Sequence, residues 1–505
     1  MTAKVLMVQG TMSSAGKSLL VTGLCRLFAR CGLKVAPFKA QNMSNNAGVC
    51  ADGAEIGRAQ YTQALASGIE PTAAMNPILL KPEADARSQV VVMGRSRDTL
   101  PAWEYYKHKN ELWPIITGAL DDLRGQYELV IVEGAGSPAE LNLRDIDIVN
   151  MAVASYAEAP VLLIGDIDRG GIFAQLLGTL WLLEDHERRL VKGLLVNKFR
   201  GDPDLFADGI DILETRGGIP VLGVIPYLPN LNISEEDAAP LEGANVHQGQ
   251  DMAQSGSAEV TIAVILLPRI ANFDDFDPLA AEPGVKVRYV SSVNDLGKPH
   301  AVIVPGTKST IADLKWLREV GLAQAITGLA EQGIAVVGIC GGYQMLGGMI
   351  HDPGKIEHPE GTESGLGLLP VDTIFEPIKA TYQTRALVSG GPGWLASLSG
   401  QIIGGYEIHM GRSHGVASWL VIKERNNNKV RINDGSASVD GRVWGCYLHG
   451  LFANTTFRQA WLSSIGWAGG HPVYTLDQGN AFDHLADSLE DAIDMSRLSA
   501  ILELP

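Results

Sequence analysis

The segment VLMVQGTMSSAGKSLLVTGLCRLFAR, residues 5–30, constrains the fold more than any other part of the chain. A short apolar run ends in a Gly/Ser loop, and the loop runs directly into a helix-patterned stretch. Such a strand–loop–helix unit belongs to a parallel sheet flanked by helices. The loop reads Gly10-Thr11-Met12-Ser13-Ser14-Ala15-Gly16-Lys17-Ser18. Its backbone N–H groups and the helix N-terminus that follows are suited to anionic oxygens. Lys17 is expected to reach the β- and γ-phosphates of a nucleotide, and the Ser18 hydroxyl to bind Mg²⁺. The strict loop pattern has four residues between its glycines; here Thr11 to Ala15 make five. Gly10, Thr11, Ser14, Ala15, Gly16, Lys17 and Ser18 are therefore the candidate ATP-binding residues of a variant loop.

The same style continues along the chain. Apolar runs at Val5–Val8, Leu129–Val132, Val161–Ile164 and Leu194–Val196 alternate with longer helical patterns, and the series stops near Pro229. The stretch from Asn232 to Glu259 is acidic and rich in Gly, Ser and Gln, which is linker composition. A second α/β series follows, with strands expected near 260–267, 301–304, 334–339 and 443–448. The fold class is thus α/β with two parallel-sheet domains. The expected divisions are 1–232, a linker over 233–258, a second domain over 259–460 and a helical extension over 461–505.

Charge and cysteine usage exclude several classes. The 40 Lys and Arg against 57 Asp and Glu give a net charge of −17, which argues against a nucleic-acid or anionic-membrane binder. The five cysteines include no CxxC pair, so neither a zinc ribbon nor a disulfide framework is expected. No apolar run has the length of a membrane span, and the N-terminus reads as a strand instead of a signal peptide. A cytoplasmic location is the expectation.

Around the phosphate loop, ELVIVEGAGSP ends a strand in Glu133, a carboxylate placed to hold Mg²⁺. Glu55, in DGAEIGRAQ, is a second candidate metal ligand. Asn197, in LLVNKFRGD, either reads an adenine edge or caps a helix. The loop KAQNMSNNAG, residues 39–48, gathers Lys39, Gln41, Asn42 and Asn45. That many ammonium and amide groups suit a ligand with several carboxylate or amide arms, or else form an Asn-rich turn. Arg144 and Asp145, in ELNLRDIDIVNM, either position an acceptor or metal or cap a helix. A local basic lining that includes Lys39 and Arg144 is expected around a polycarboxylate substrate.

A second site is written in GIAVVGICGGYQMLGG. Gly338-Ile339-Cys340-Gly341-Gly342 has the form Gly-x-nucleophile-x-Gly, which places a nucleophile on a strained strand-to-helix turn. A helix N-terminus favours the thiolate. The N–H of Gly341 is one expected oxyanion donor, and the turn at Gly306 supplies a second. Of 11 histidines, His449 in WGCYLHGLF stands just after a strand and is the expected base.

Together these stretches resemble a known family. The first half is similar to dethiobiotin-synthetase-type ATP domains, through GTMSSAGKS and VEGAG. The second half resembles class I (triad-type) glutamine amidotransferases, through GICGGYQ and YLHG. Their fusion in this order resembles the cobyric acid synthase / cobyrinic acid diamide synthase group. KAQNMSNNAG, MNPILLKP, EGAGSPAELNLRDIDIVNM, DIDRGGIFAQ and GYEIHMGR point to its cobyric acid synthase branch. The resemblance implies glutamine hydrolysis at Cys340, with Gln344 contacting glutamine. It implies ATP-dependent amidation of the b, d, e and g carboxylates of adenosylcobyrinic acid a,c-diamide through acyl phosphates. Ammonia released into water would become non-nucleophilic ammonium, so a sheltered path between the two domains is expected. The a,c-diamide synthase, and a partitioning-type P-loop ATPase switch, are the rival readings. The switch is expected to carry a lysine where this loop has Met12. Triad amidotransferases have a Glu two residues after the His, where this chain has Leu451. The site is then a Cys-His dyad or takes its third group from elsewhere, with Glu407 as one candidate and His409 shaping the glutamine pocket.

Overall fold

A computed structural model describes residues 2–84, 87–229, 231, 233, 260–358, 361–415, 418–469 and 478–504. The linker expected over 233–258 lies, apart from Ile233, outside them. Strand β1 (Lys4–Gly10) is buried along almost its whole length, as its apolar run requires. It is central in a six-stranded sheet whose order is 221–226, 191–199, 161–166, β1, 129–133 and β2 (Val35–Phe38). Every pairing in that sheet is parallel. Helix α1 (Lys17–Arg30) leaves the phosphate loop and packs its Leu20, Leu24 and Leu27 face into the core.

The second sheet has the order 285–290, 260–265, 301–304, 335–339 and 443–446, all parallel, closed by an antiparallel edge at Ser436–Ala437. Its core is continuous with a cluster of buried Trp419, Trp444, Trp461, Phe452 and Phe457. Helix Thr455–Ser464 belongs to this core and runs through the boundary expected at 460. A separate, mainly antiparallel sheet joins 371–388, 402–415, 420–425 and 428–434.

The chain then returns to the first sheet. Helix Gln478–Ala492 lies across α1, where Arg26 grips Asp483 with two bonds of 2.8 and 3.0 Å. Close approach depends on Gly23: a Cβ there would meet Leu489 Cδ1 at 2.3 Å. In both parallel sheets the strand ends that carry polar residues point to one edge, where α/β folds bind ligands.

Candidate active sites

Two groups of side chains gather at the carboxyl ends of the two parallel sheets. At the first, Gly16 takes φ 99° to turn the loop into α1. Lys17 Nζ donates to the carbonyls of Met12 and Gly136, both at 3.0 Å, so its ammonium lies across the mouth of the loop. Ser18 Oγ donates to Glu133 Oε1 at 2.8 Å. The register that pairs Val8 with Glu133 sets this contact. Lys39 Nζ also donates to Glu133 Oε1 at 2.8 Å, and Gln63 Nε2 donates to Oε2 at 2.6 Å. Burial alone pushes the Glu133 carboxyl up, but the Lys39 ammonium, with the Gln63 and Ser18 donors, holds it below the usual carboxylate range. A hydroxyl and an ionised carboxylate in contact are the oxygen donors Mg²⁺ takes.

The structure places several of the expected residues in detail here. Glu55 does not join Ser18 and Glu133. Its two oxygens are taken by Lys81 and Lys379, which outweigh burial and pull its carboxyl down to about 2. Asn197 caps no helix; its amide nitrogen is turned to the phosphate loop. That nitrogen donates to Ala15 O at 2.9 Å and braces the phosphate loop from below. Lys39 is not a surface cation for an acidic substrate, because it is buried against Glu133.

Beside this site lies a cavity of about 640 Å³, lined by Gln41, Lys109, Gly136, Arg144, Asp147 and Glu187 among others. Gln41 and Arg144 thus share one cavity. The Arg144 guanidinium already pairs with Glu184 and Glu187 at 2.9 and 2.6 Å. The basic lining expected from the sequence is absent among the described residues: Lys109 and Arg144 share the wall with Glu140, Asp147 and Glu187. Asn42 and Asn45 turn inward. Asn42 Nδ2 donates to Gln60 at 2.9 Å, and Asn45 Oδ1 is buried without a hydrogen-bond partner among the described residues. Asp145 is exposed and lines neither cavity.

At the second site Cys340 sits at φ 52°, ψ −109°, a strained conformation for a residue with a Cβ. Its neighbours must be small. A Cβ on Gly342 would stand 1.9 Å from Val304 O, and one on Gly338 would stand 2.7 Å from Tyr343 N. Strand 335–339 pairs with 443–446, and Cys340 N donates to Cys446 O, so the two strand ends bring Cys340 and His449 together. Gly306, Gly341, Gln344, His409 and His449 line one cavity with Cys340. Gln344 is fixed there by Thr310 at 2.8 Å and by Tyr447 at 3.3 Å.

The third member of the centre is Asp275. Its Oδ2 lies 2.6 Å from His449 Nδ1, and its Oδ1 accepts from Gly450 N at 2.8 Å. Burial opposes an imidazolium, but Asp275 and the Cys340 sulfur outweigh it and raise the His449 pKa to about 10. Glu407 does not serve His449. It is bound by Arg425 through both oxygens, by Thr384 and by His409. Leu451 is 1% exposed, in the core beside Phe452, where a carboxylate would lack water and partners. The signal that finds Asp275 is ANFDDFDP, an acidic turn just beyond the first strand of the second sheet.

Fold and site define a P-loop nucleotide domain joined to a Cys-His-Asp amidotransferase domain. Residues 6–241 match the family model described as CobQ/CobB/MinD/ParA nucleotide binding domain, and residues 261–457 match that of the CobB/CobQ-like glutamine amidotransferase domain. A relative named cobyric acid synthase from Roseiflexus castenholzii is 56% identical, over 98% of each chain. One of the same name from Chloroflexus aggregans is 55% identical over the full length of both, and one from Dehalococcoides mccartyi is 48% identical over 99% of both. The chain belongs to the cobyric acid synthase family.

Proposed function

We propose that this protein makes cobyric acid in cobalamin biosynthesis, moving the amide nitrogen of glutamine onto side-chain carboxylates of a corrinoid with ATP as the activator. The substrate is adenosylcobyrinic acid a,c-diamide, and the b, d, e and g carboxylates become amides. The observation that carries this reading is the pairing, in one chain, of a Cys340–His449–Asp275 centre with a Lys17–Ser18–Glu133 phosphate site.

At the thiol site, Cys340 Sγ attacks the amide carbon of glutamine, and Gly341 N–H and the Gly306 turn face the developing oxyanion. His449 gives its proton to the departing nitrogen, which leaves as ammonia. The γ-glutamyl thioester is then hydrolysed by water that His449 deprotonates. At the phosphate site, Lys17 and the α1 N-terminus hold the nucleotide phosphates while the corrinoid carboxylate takes the γ-phosphoryl group. Ammonia displaces phosphate from the acyl phosphate. Ser18 and Glu133 are the residues that would hold Mg²⁺, which when bound offsets phosphate charge. No helix among the described residues is long and apolar enough to cross a membrane. The reading keeps the enzyme in the cytoplasm, without a nucleic-acid partner.

The test is stoichiometry. One phosphate and one glutamate should appear per amide formed. Lys17→Ala should lower phosphate release by about 10²-fold or more, since it removes the cation facing the transferred group. ATP hydrolysis that ignores the corrinoid would support the switch reading instead.

A further inference from the structure

The thiol centre is not built by its own domain alone. Helix α2 (Arg58–Ala66) belongs to the nucleotide domain, yet its first residue reaches the other site. Arg58 Nε lies 3.2 Å from Asp274 Oδ2, and Arg58 NH2 donates to Tyr406 OH at 2.6 Å. Tyr406 stacks on the His449 ring at 5.1 Å with an interplanar angle of 14°, and the two residues exchange backbone hydrogen bonds. Asp274 immediately precedes Asp275, the acid that orients His449.

An earlier loop of the same domain reinforces this hold. Asn46 Oδ1 accepts from Asn272 N at 2.7 Å, and Ala47 N donates to Asn272 Oδ1 at 3.1 Å. Asn272 is held at φ 53°, with its Nδ2 3.4 Å from His449 Nε2. Arg58 N donates to Asn46 O, so the loop and the helix form one piece. Further along the same helix, Gln60 and Gln63 donate to Glu133 Oε2 at 3.3 and 2.6 Å. A nine-residue helix thus touches the phosphate site with one part and the thiol site with another.

We infer that Arg58 is a positioning residue for glutamine hydrolysis: from the nucleotide domain it fixes Asp274 and Tyr406, and through them the His449–Asp275 pair, so the thiol centre is complete only while α2 is seated at Glu133. Arg58 is buried and Asp274 is half-buried, and each is the nearest opposite charge to the other. Tyr61, Asp275 and the His449 imidazolium are the other titratable groups facing this pair. The inference rests on the reading of Cys340 as the glutamine-hydrolysing thiol.

The test uses the full chain with Arg58→Gln, Arg58→Lys and, as the control for that underlying reading, Cys340→Ala. Arg58→Gln should lower kcat for glutamine hydrolysis by tenfold or more, with KM for glutamine within threefold. Amidation driven by added ammonia should stay within twofold of the natural protein. Arg58→Lys, which restores the charge, should recover part of kcat. Should Arg58→Gln fail to fold, the same split between the two nitrogen sources is read on Arg58→Lys. Equal losses with glutamine and with ammonia, or no loss with either, would overturn the positioning role. Glutamine hydrolysis that survives in Cys340→Ala would instead overturn the reading on which it rests.

Discussion

His449 meets an acid on one side and a thiol on the other, and that pairing sets its protonation. Its folded pKa of about 10 lies above the unfolded value of about 6.5. The stability this adds is complete below about pH 6.5 and fades as pH rises through about 10. Asp275→Asn removes the charge that opposes burial, so the imidazolium should give up its proton at much lower pH. Histidine NMR across a pH titration checks this. Glutamine hydrolysis by that variant should fall by about 10²–10⁴-fold, the usual worth of general acid–base catalysis. A titration that matches the natural protein would remove Asp275 from the centre. Cys340 and His449 were legible in the sequence because an elbow glycine pattern and a strand-end histidine carry their own context. Asp275 was not, because it lies in a turn beyond strand 260–265 with no fixed spacing to either, and the acidic run ANFDDFDP by itself names no partner. Glu55 misled because its acidity is visible in sequence while its partners, Lys81 and Lys379, lie on distant strands.

At the scale of elements, the turns at strand ends do most of the placing. The phosphate loop and the thiol elbow were both readable, since each needs glycines where a Cβ would collide or a left-handed turn is required. Gly342→Ala drives a methyl group into Val304 O. It should destabilise the second domain by about 1–3 kcal/mol and slow alkylation of Cys340, measured by urea unfolding and iodoacetamide labelling. Unchanged labelling would mean that the elbow tolerates displacement. Helix α2 was not readable as a connector. Its sequence, RAQYTQALA, holds one large aliphatic residue, Leu65, and no apolar stripe, and its meaning comes from two sites that the sheet topologies bring to its flanks.

At the scale of the molecule, the two parallel sheets followed from the alternation of apolar runs with helical patterns. The return of the chain to the first sheet did not, because helical spacing names no partner. Leu485, Leu489, Ile493, Leu498 and Leu502 bury themselves against α1 and the strands beside it. Deleting residues 478–505 should therefore lower the Tm of the nucleotide domain. Calorimetry should show a loss of roughly 5 kcal/mol or more from that uncovered surface; an unchanged Tm would contradict the packing. The central claim is that one chain carries glutamine nitrogen to corrinoid carboxylates. Its most direct test is mass spectrometry of adenosylcobyrinic acid a,c-diamide after incubation with ATP and glutamine. Each carboxylate-to-amide step lowers the mass by about 1 Da, the unit of nitrogen transfer in a two-site reaction. The natural protein should give four such steps, and Cys340→Ala should give them with ammonia alone. No mass change in either case, or glutamine-driven amidation by Cys340→Ala, would contradict the account.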